Sequence, residues 1–308
     1  MKKDLTSIAD LNKQEILDLL KEAGELKERV KREGVLNIAR GKMGVLIFEK
    51  PSLRTRVTFE RALQQLGASS TYLSPQDIGL GRRESVPDVA RNLSRWIDLI
   101  IARVFEHEKI TQLAEYASVP VINALSDLEH PCQILADLLT ILDHHHSLVG
   151  VTVAWSGDGN NVCHSLLLAS GIVGFNLNVA TPKGFEPSKE IIVKSQQFAK
   201  ESGARIKLTY DPCEAVKDAD FIYTDVWASM GQENEAEQRR EIFRPYQVNM
   251  ALLAKAKASV KVLHCLPAHR GEEITDDVLD GPQSIVLDQA ENRLHIQRAI
   301  LARLLSNV

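Results

Sequence analysis

Val45-Leu46-Ile47-Phe48-Glu49-Lys50-Pro51-Ser52-Leu53-Arg54-Thr55-Arg56 joins a short apolar run to the opening of a helix. The first four residues suit a strand buried on both faces. Ser52 to Leu66 repeats apolar residues at helical spacing and meets Gly67, a residue suited to a helix stop. A strand that feeds a helix is the unit of a parallel sheet, because parallel neighbours need long crossovers over the sheet faces. The same alternation extends in both directions. Upstream, Asn12-Lys13-Gln14-Glu15 reads as a capping box ahead of Ile16, Leu19, Leu20, Ala23 and Val30. Downstream, strand-like runs lie at Ser70–Leu73, Leu99–Val104 and Val119–Asn123, and a helix from Pro131 to about His144 begins with proline at a permitted position. A second series starts at Val151–Trp155 and a glycine turn. It continues through Leu177–Ala180, Ile206–Leu208, Phe221–Thr224 and Val260–His264, and ends in a helix from Glu291 to Ser306. The pattern predicts an α/β fold of two domains, each a parallel sheet with helices on both faces. The domains are expected at 1–146 and 147–290, with the helix 291–308 packing back on the first.

Composition narrows the function. The chain has 308 residues, 44% hydrophobic and 25% charged, which is ordinary globular composition. A formal net charge of −4 gives no basic field for nucleic acid or an anionic membrane. No apolar stretch suits a signal peptide or a membrane span, so a cytoplasmic location is expected. The four cysteines, Cys132, Cys163, Cys213 and Cys265, form no C-x-x-C pair. Disulfides and a cysteine zinc site are not expected. His144-His145-His146 has no spaced partner and reads as a solvated helix end rather than a metal site.

The first strand end has the character of an anion site. Ligands of open α/β sheets bind beyond the carboxyl ends of the strands, where helix N-termini point. Ser52, Arg54, Thr55 and Arg56 put two hydroxyls and two guanidiniums at such a helix start. The helix dipole is already positive there, so arginines in the first turn call for a balancing anion; the plainer reading is a capping serine followed by solvated arginines. His130-Pro131-Cys132-Gln133 also enters a helix, and a histidine held by a proline turn can donate to a carbonyl oxygen. By itself that motif fits a helix cap with a buried polar pair. Arg103 closes a strand-like run where an apolar residue is expected.

Together these segments resemble the aspartate/ornithine carbamoyltransferase family over nearly the whole chain. Ser52–Arg56 matches its S-x-R-T-R motif and His130–Gln133 its H-P-x-Q motif. Asp225-Val226-Trp227-Ala228-Ser229-Met230-Gly231 is similar to the ornithine-type D-x-W-x-S-M-G loop. His264-Cys265-Leu266-Pro267 is similar to the ornithine-type H-C-L-P, where aspartate-type members carry H-P-L-P. Gly157–Asn161 and Ala290–Arg293 also match in order. The resemblance implies transfer of a carbamoyl group from carbamoyl phosphate to the side-chain amine of L-ornithine, without cofactor or metal. It implies that Ser52, Leu53, Arg54, Thr55, Arg103, His130, Pro131, Cys132, Gln133 and Arg293 bind carbamoyl phosphate. Asn161, Asp225, Ser229, Met230, Cys265 and Leu266 would bind ornithine, and Arg103, His130, Asp225 and Cys265 would be catalytic. The implied assembly is a homotrimer or a multiple of it, with the loop around Asp77–Arg82 reaching the neighbouring subunit's phosphate. This chain departs from many relatives at Gly79, where they carry glutamine. Either a neighbour such as Arg82 supplies the contact or donor affinity is lower, unless the glycine is needed for a positive φ.

Other readings fare less well. Another amine acceptor (putrescine, acetylornithine or aspartate) is the nearest rival within the enzyme class. A dinucleotide-dependent oxidoreductase would explain Gly157-Asp158-Gly159, but Val162 stands at the third glycine position. The next strand also runs into Thr181-Pro182-Lys183 without an acid. An inactive homologue acting as an assembly subunit fits poorly with intact arginines, histidine and cysteine.

Overall fold

The computed structural model describes residues 3–228 and 236–306. It divides into two units, Met1–Leu139 with Glu291–Val308, and Thr140–Ala290. Both dividing points fall inside helices, Pro131–His145 and Val286–Ser306.

The first unit is built on β1 (Met43–Phe48), β2 (Ser69–Leu73), β3 (Leu99–Arg103) and β4 (Val121–Leu125), ordered β2-β1-β3-β4 and parallel throughout. Strand side chains alternate between faces. Val45, Ile47, Ile100, Ala102 and Val121 therefore share one face, where they pack with Val86, Val89, Ile110 and Leu113 from the helices Val86–Leu93 and His107–Tyr116. Leu46, Phe48, Ile101 and Ile122 are buried on the other face. Register pairs Phe48 with Arg103, so the ends of β1 and β3 lie side by side. The fourth strand starts two residues later than its sequence suggests. Pro120 has no N–H to give a ladder, although its carbonyl still accepts from Ile100 N–H at 2.9 Å.

The second unit has β5 (Thr152–Ser156), β6 (Asn176–Ala180), β7 (Ile206–Thr209), β8 (Phe221–Thr224) and β9 (Lys261–His264), also parallel and ordered β7-β6-β5-β8-β9. The order reverses beside β5, and the loops after β5 and β8 leave from adjacent strands at that switch point. Ala154, Ile222 and Val262 pack on one face with Val216, Val248, Leu252 and Val278.

Capping follows the sequence closely. Asn12 and Glu15 form the capping box of the helix Lys13–Glu33, and Ser52 Oγ accepts from Thr55 N–H at 3.3 Å to open the helix Leu53–Gln65. Gly79 ends the short helix Pro75–Ile78 in the left-handed region, with φ 54° and ψ 45°. A Cβ placed there would lie 3.0 Å from Arg83 Cβ. The glycine thus serves the backbone. Gly79→Ala is expected to lower the free energy of unfolding by about 1 kcal/mol, read from urea midpoints, through strain at positive φ. An unchanged midpoint would show that the turn relaxes freely.

Candidate active site

In the first unit, the strand ends gather the polar residues picked out by motif. Thr55, Arg103, His130, Gln133 and Arg293 are all buried. Arg293 Nη2 donates to Thr55 Oγ1 at 3.0 Å, and Arg293 Nη1 donates to Gln133 Oε1. Gln133 Nε2 in turn donates to Asp137 Oδ1 at 2.8 Å, which fixes the orientation of its amide. Burial pushes the His130 imidazole well below its usual range, and the positive charges of Arg293, Arg103 and Arg54 push it further. His130 is therefore neutral at physiological pH and keeps one N–H to donate. Lys50, directly after β1, is largely buried over the Phe105 ring at 4.2 Å, and burial with the Arg103 charge lowers its pKa. Two motif residues stand apart from this group. Cys132 turns into the core, where Sγ donates to Asn123 O at 3.6 Å and burial pushes the thiol up to about 12. Leu53 projects outward and is 75% exposed. Only backbone groups of these two face the ligand end of the helix starts.

In the second unit, Asp225 follows β8 and Cys265 follows β9. Cys265 Sγ donates to Asp225 Oδ1 at 2.8 Å, and Asn160 Nδ2 donates to Asp225 Oδ2 at 2.7 Å. Asn160 also caps the helix Asn161–Val173 by accepting from Val162 and Cys163 N–H. Asn160 and Cys265 thus each occupy one oxygen of the Asp225 carboxylate. Leu266 has φ 58°, a costly value for a branched residue, and its N–H donates to His264 Nδ1 at 2.9 Å. His264 Nε2 donates to the buried Glu273 carboxylate at 3.0 Å. Ligand atoms of Asp225, His264 and Cys265 lie within 4.8 Å of one another, a mixed N/O/S set that sequence spacing did not reveal. Each already has a partner within the protein. Ser229 and Met230 lie outside the described residues.

Sequence reading passed over Asp158 and Arg239. Arg239 Nη1 donates to Asp158 Oδ2 at 3.1 Å and to Trp227 O at 2.8 Å, and its guanidinium lies over Phe185 and Phe243. Burial raises Asp158 to about 6, against the pull of Arg239 and with a further push from Asp225. A carboxylate so placed is desolvated beside a second one. The available signal is Asp158 inside the glycine turn after β5, a segment that matches the family motif without giving Asp158 a role.

Comparison with known proteins places this geometry. Residues 3–143 match the carbamoyl-P binding domain of aspartate/ornithine carbamoyltransferases, and residues 149–304 match their Asp/Orn binding domain. The chain belongs to the aspartate/ornithine carbamoyltransferase family. It is 53% identical to the ornithine carbamoyltransferase of Pyrococcus horikoshii over 306 residues, covering 99% of this chain and 96% of that protein. A solved ornithine carbamoyltransferase from Pyrococcus furiosus superposes with TM-score 0.94 at 52% identity, covering 97% of this chain and 96% of the other. One from Gloeobacter violaceus gives 0.89 at 45%, covering 99% of each. Among the described residues no helix is long and apolar enough to cross a membrane.

Asp158 yields a stability test. Its folded pKa of about 6 lies above the ordinary 3.8, so the folded state binds the extra proton between those values. Stability is therefore present below about pH 4 and falls as pH rises towards 6. The wild-type protein is expected to lose about 2 kcal/mol relative to Asp158→Asn over that window, measured by urea unfolding. Parallel pH curves for the two proteins would refute the assignment.

Proposed function

We propose that this chain transfers the carbamoyl group of carbamoyl phosphate to the side-chain amine of L-ornithine, forming citrulline and phosphate. The observation that carries this reading is the buried cluster of Thr55, Arg103, His130, Gln133 and Arg293, in which Arg293 joins Thr55 to Gln133. The direction proposed is biosynthetic, in keeping with a 52% identical Pyrococcus furiosus relative named as anabolic.

The first unit takes the donor. Ser52, Arg54, Arg103 and the backbone N–H groups opening at Leu53 hold the phosphate, whose charge the helix start favours. Thr55, Arg103 and His130 donate to the carbamoyl oxygen, which gains negative charge as the carbon becomes tetrahedral. One such donor is typically worth about 3–4 kcal/mol of barrier. Gln133 and the backbone of Pro131–Cys132 receive the carbamoyl amide, and Arg293 fixes Gln133. The second unit takes the acceptor. Asn161, Asp225, Ser229 and Met230 hold the amino-acid end of ornithine, while Cys265 and Leu266 close over its side chain. With a pKa near ~10.4, only about one ornithine side chain in a thousand is uncharged at neutral pH. The Asp225–Cys265 pair accepts the displaced proton; the amine nitrogen attacks, the C–O bond to phosphate breaks, and phosphate leaves on Arg54. Side chains meet every charge in this scheme, so it requires no cofactor or metal.

We further infer a cytoplasmic homotrimer. Leu53 and Val57 present an exposed apolar pair one helical turn apart, and β2 is an edge strand. The free cysteines suit a reducing compartment.

Citrulline should form with ornithine far faster than carbamoylated product forms with putrescine or aspartate when the three are offered in parallel. Comparable turnover of putrescine would remove the argued role of the amino-acid contacts. Inorganic phosphate should raise the melting temperature of the wild-type protein by mass action and do much less for Arg54→Ala. Equal shifts in both proteins would move the anion site elsewhere.

A further inference from the structure

The outer edge of the first sheet, at β4, is covered by the start of the chain. Leu5 N–H donates to Val121 O at 2.9 Å and Leu5 O accepts from Asn123 N–H at 2.8 Å, a parallel bridge to β4. Val121 N–H donates to Asp4 Oδ1 at 2.8 Å, and Asn123 Nδ2 donates to Thr6 O at 2.9 Å. The segment then turns through a single helical turn, Ile8–Asp10, capped by Ser7. Here it meets Glu129. That carboxylate is 2% exposed and accepts Ser7 Oγ at 2.5 Å on one oxygen and Ile8 N–H at 3.0 Å on the other. The backbone of Glu129 is fixed as well. Ser126 N–H donates to Glu129 O at 2.9 Å, and Glu129 N–H donates to Ser126 Oγ at 3.2 Å. His130 comes next, and its carbonyl receives Gln133 N–H at 3.1 Å as the helix begins.

We propose that Glu129 is a positioning residue for His130, and that the segment Asp4–Asp10 is a working part of the carbamoyl phosphate site. The proposal rests on the reading of His130 as the donor to the carbamoyl oxygen. Both Glu129 oxygens engage the N-terminal turn, so the peptide joining Glu129 to His130 is held between β4 and that turn. An imidazole must meet its acceptor within a few tenths of an ångström to donate well, and small displacements of a catalytic group cost large factors in rate. Glu129 holds the edge segment through its carboxylate and is joined to His130 through its backbone.

The test is steady-state citrulline formation by the full chain carrying Glu129→Ala, Glu129→Gln or Ser7→Ala, varying each substrate in turn. Glu129→Ala should raise KM for carbamoyl phosphate about tenfold and lower kcat, with KM for ornithine within about twofold, a loss in the range of a buried charged hydrogen bond. Glu129→Gln should recover most of this, because an amide can accept from Ile8 N–H and donate to Ser7 Oγ. Ser7→Ala should move the same constants less. A folded Glu129→Ala with wild-type constants overturns the proposal, as does a loss shared equally by both substrates and not recovered by glutamine. Should Glu129→Ala fail to fold, Ser7→Ala decides, and an unchanged KM for carbamoyl phosphate overturns it. His130→Asn separates the two levels: unchanged donor kinetics there would refute the role of His130 itself. Impaired His130→Asn beside unimpaired Glu129 variants would refute only the positioning.

Discussion

One buried guanidinium organises the first unit. Arg293 binds Thr55, in the helix that leaves β1, and Gln133, in the helix that leaves β4. A turn later Arg298 Nη1 donates to Gln65 Oε1 at 2.7 Å, so the helix Leu53–Gln65 is gripped at both ends from the same C-terminal helix. Burial lowers Arg298 to about 10, still charged at neutral pH. A hydrogen bond to a buried charge of this kind is typically worth about 1.5–3 kcal/mol, more than one between neutral groups. The strand-end residues keep their mutual geometry because two arginines fix it.

The two units handle charge in opposite senses. In the first, burial and then three arginine charges hold an imidazole below its usual range, leaving a site short of negative charge. In the second, Asp158 lies close enough to Asp225 to raise its own pKa, while Arg239 offsets part of the repulsion and ties the Trp227 carbonyl. An anionic donor and a cationic amino-acid acceptor call for these opposite fields.

Local signals made much of this legible in sequence. The alternation of apolar runs and capped helices gave the parallel sheets, because period and capping are properties of neighbouring residues. An anion site is an expectation the sequence supports, because arginines in a first helical turn contradict the dipole unless something answers them. What escaped were properties of distance. Arg239 and Asp158 are far apart in sequence, and only the fold brings them to 3.1 Å. Asn160 caps its helix and bonds Asp225 at once, a pairing that only the fold reveals. Cys132 belongs to a site motif yet points into the core, because helix phase turns it away from Gln133. Glu129 carries no local signal of burial, because the turn that covers it comes from the far end of the unit's sequence.

The differing fates of the cysteines have a practical side. Cys132 and Cys163 are buried with thiols held up by desolvation, whereas Cys213 is exposed and Cys265 partly so. An alkylating reagent attacks the thiolate, so only the latter two offer it a target in the folded protein. Replacing Cys213 with serine would leave a protein that takes a single label beside Asp225. Acceptor occupancy would then be read as protection of Cys265 from the label, and the two silent thiols would become reactive only on unfolding, giving a chemical clock for global opening.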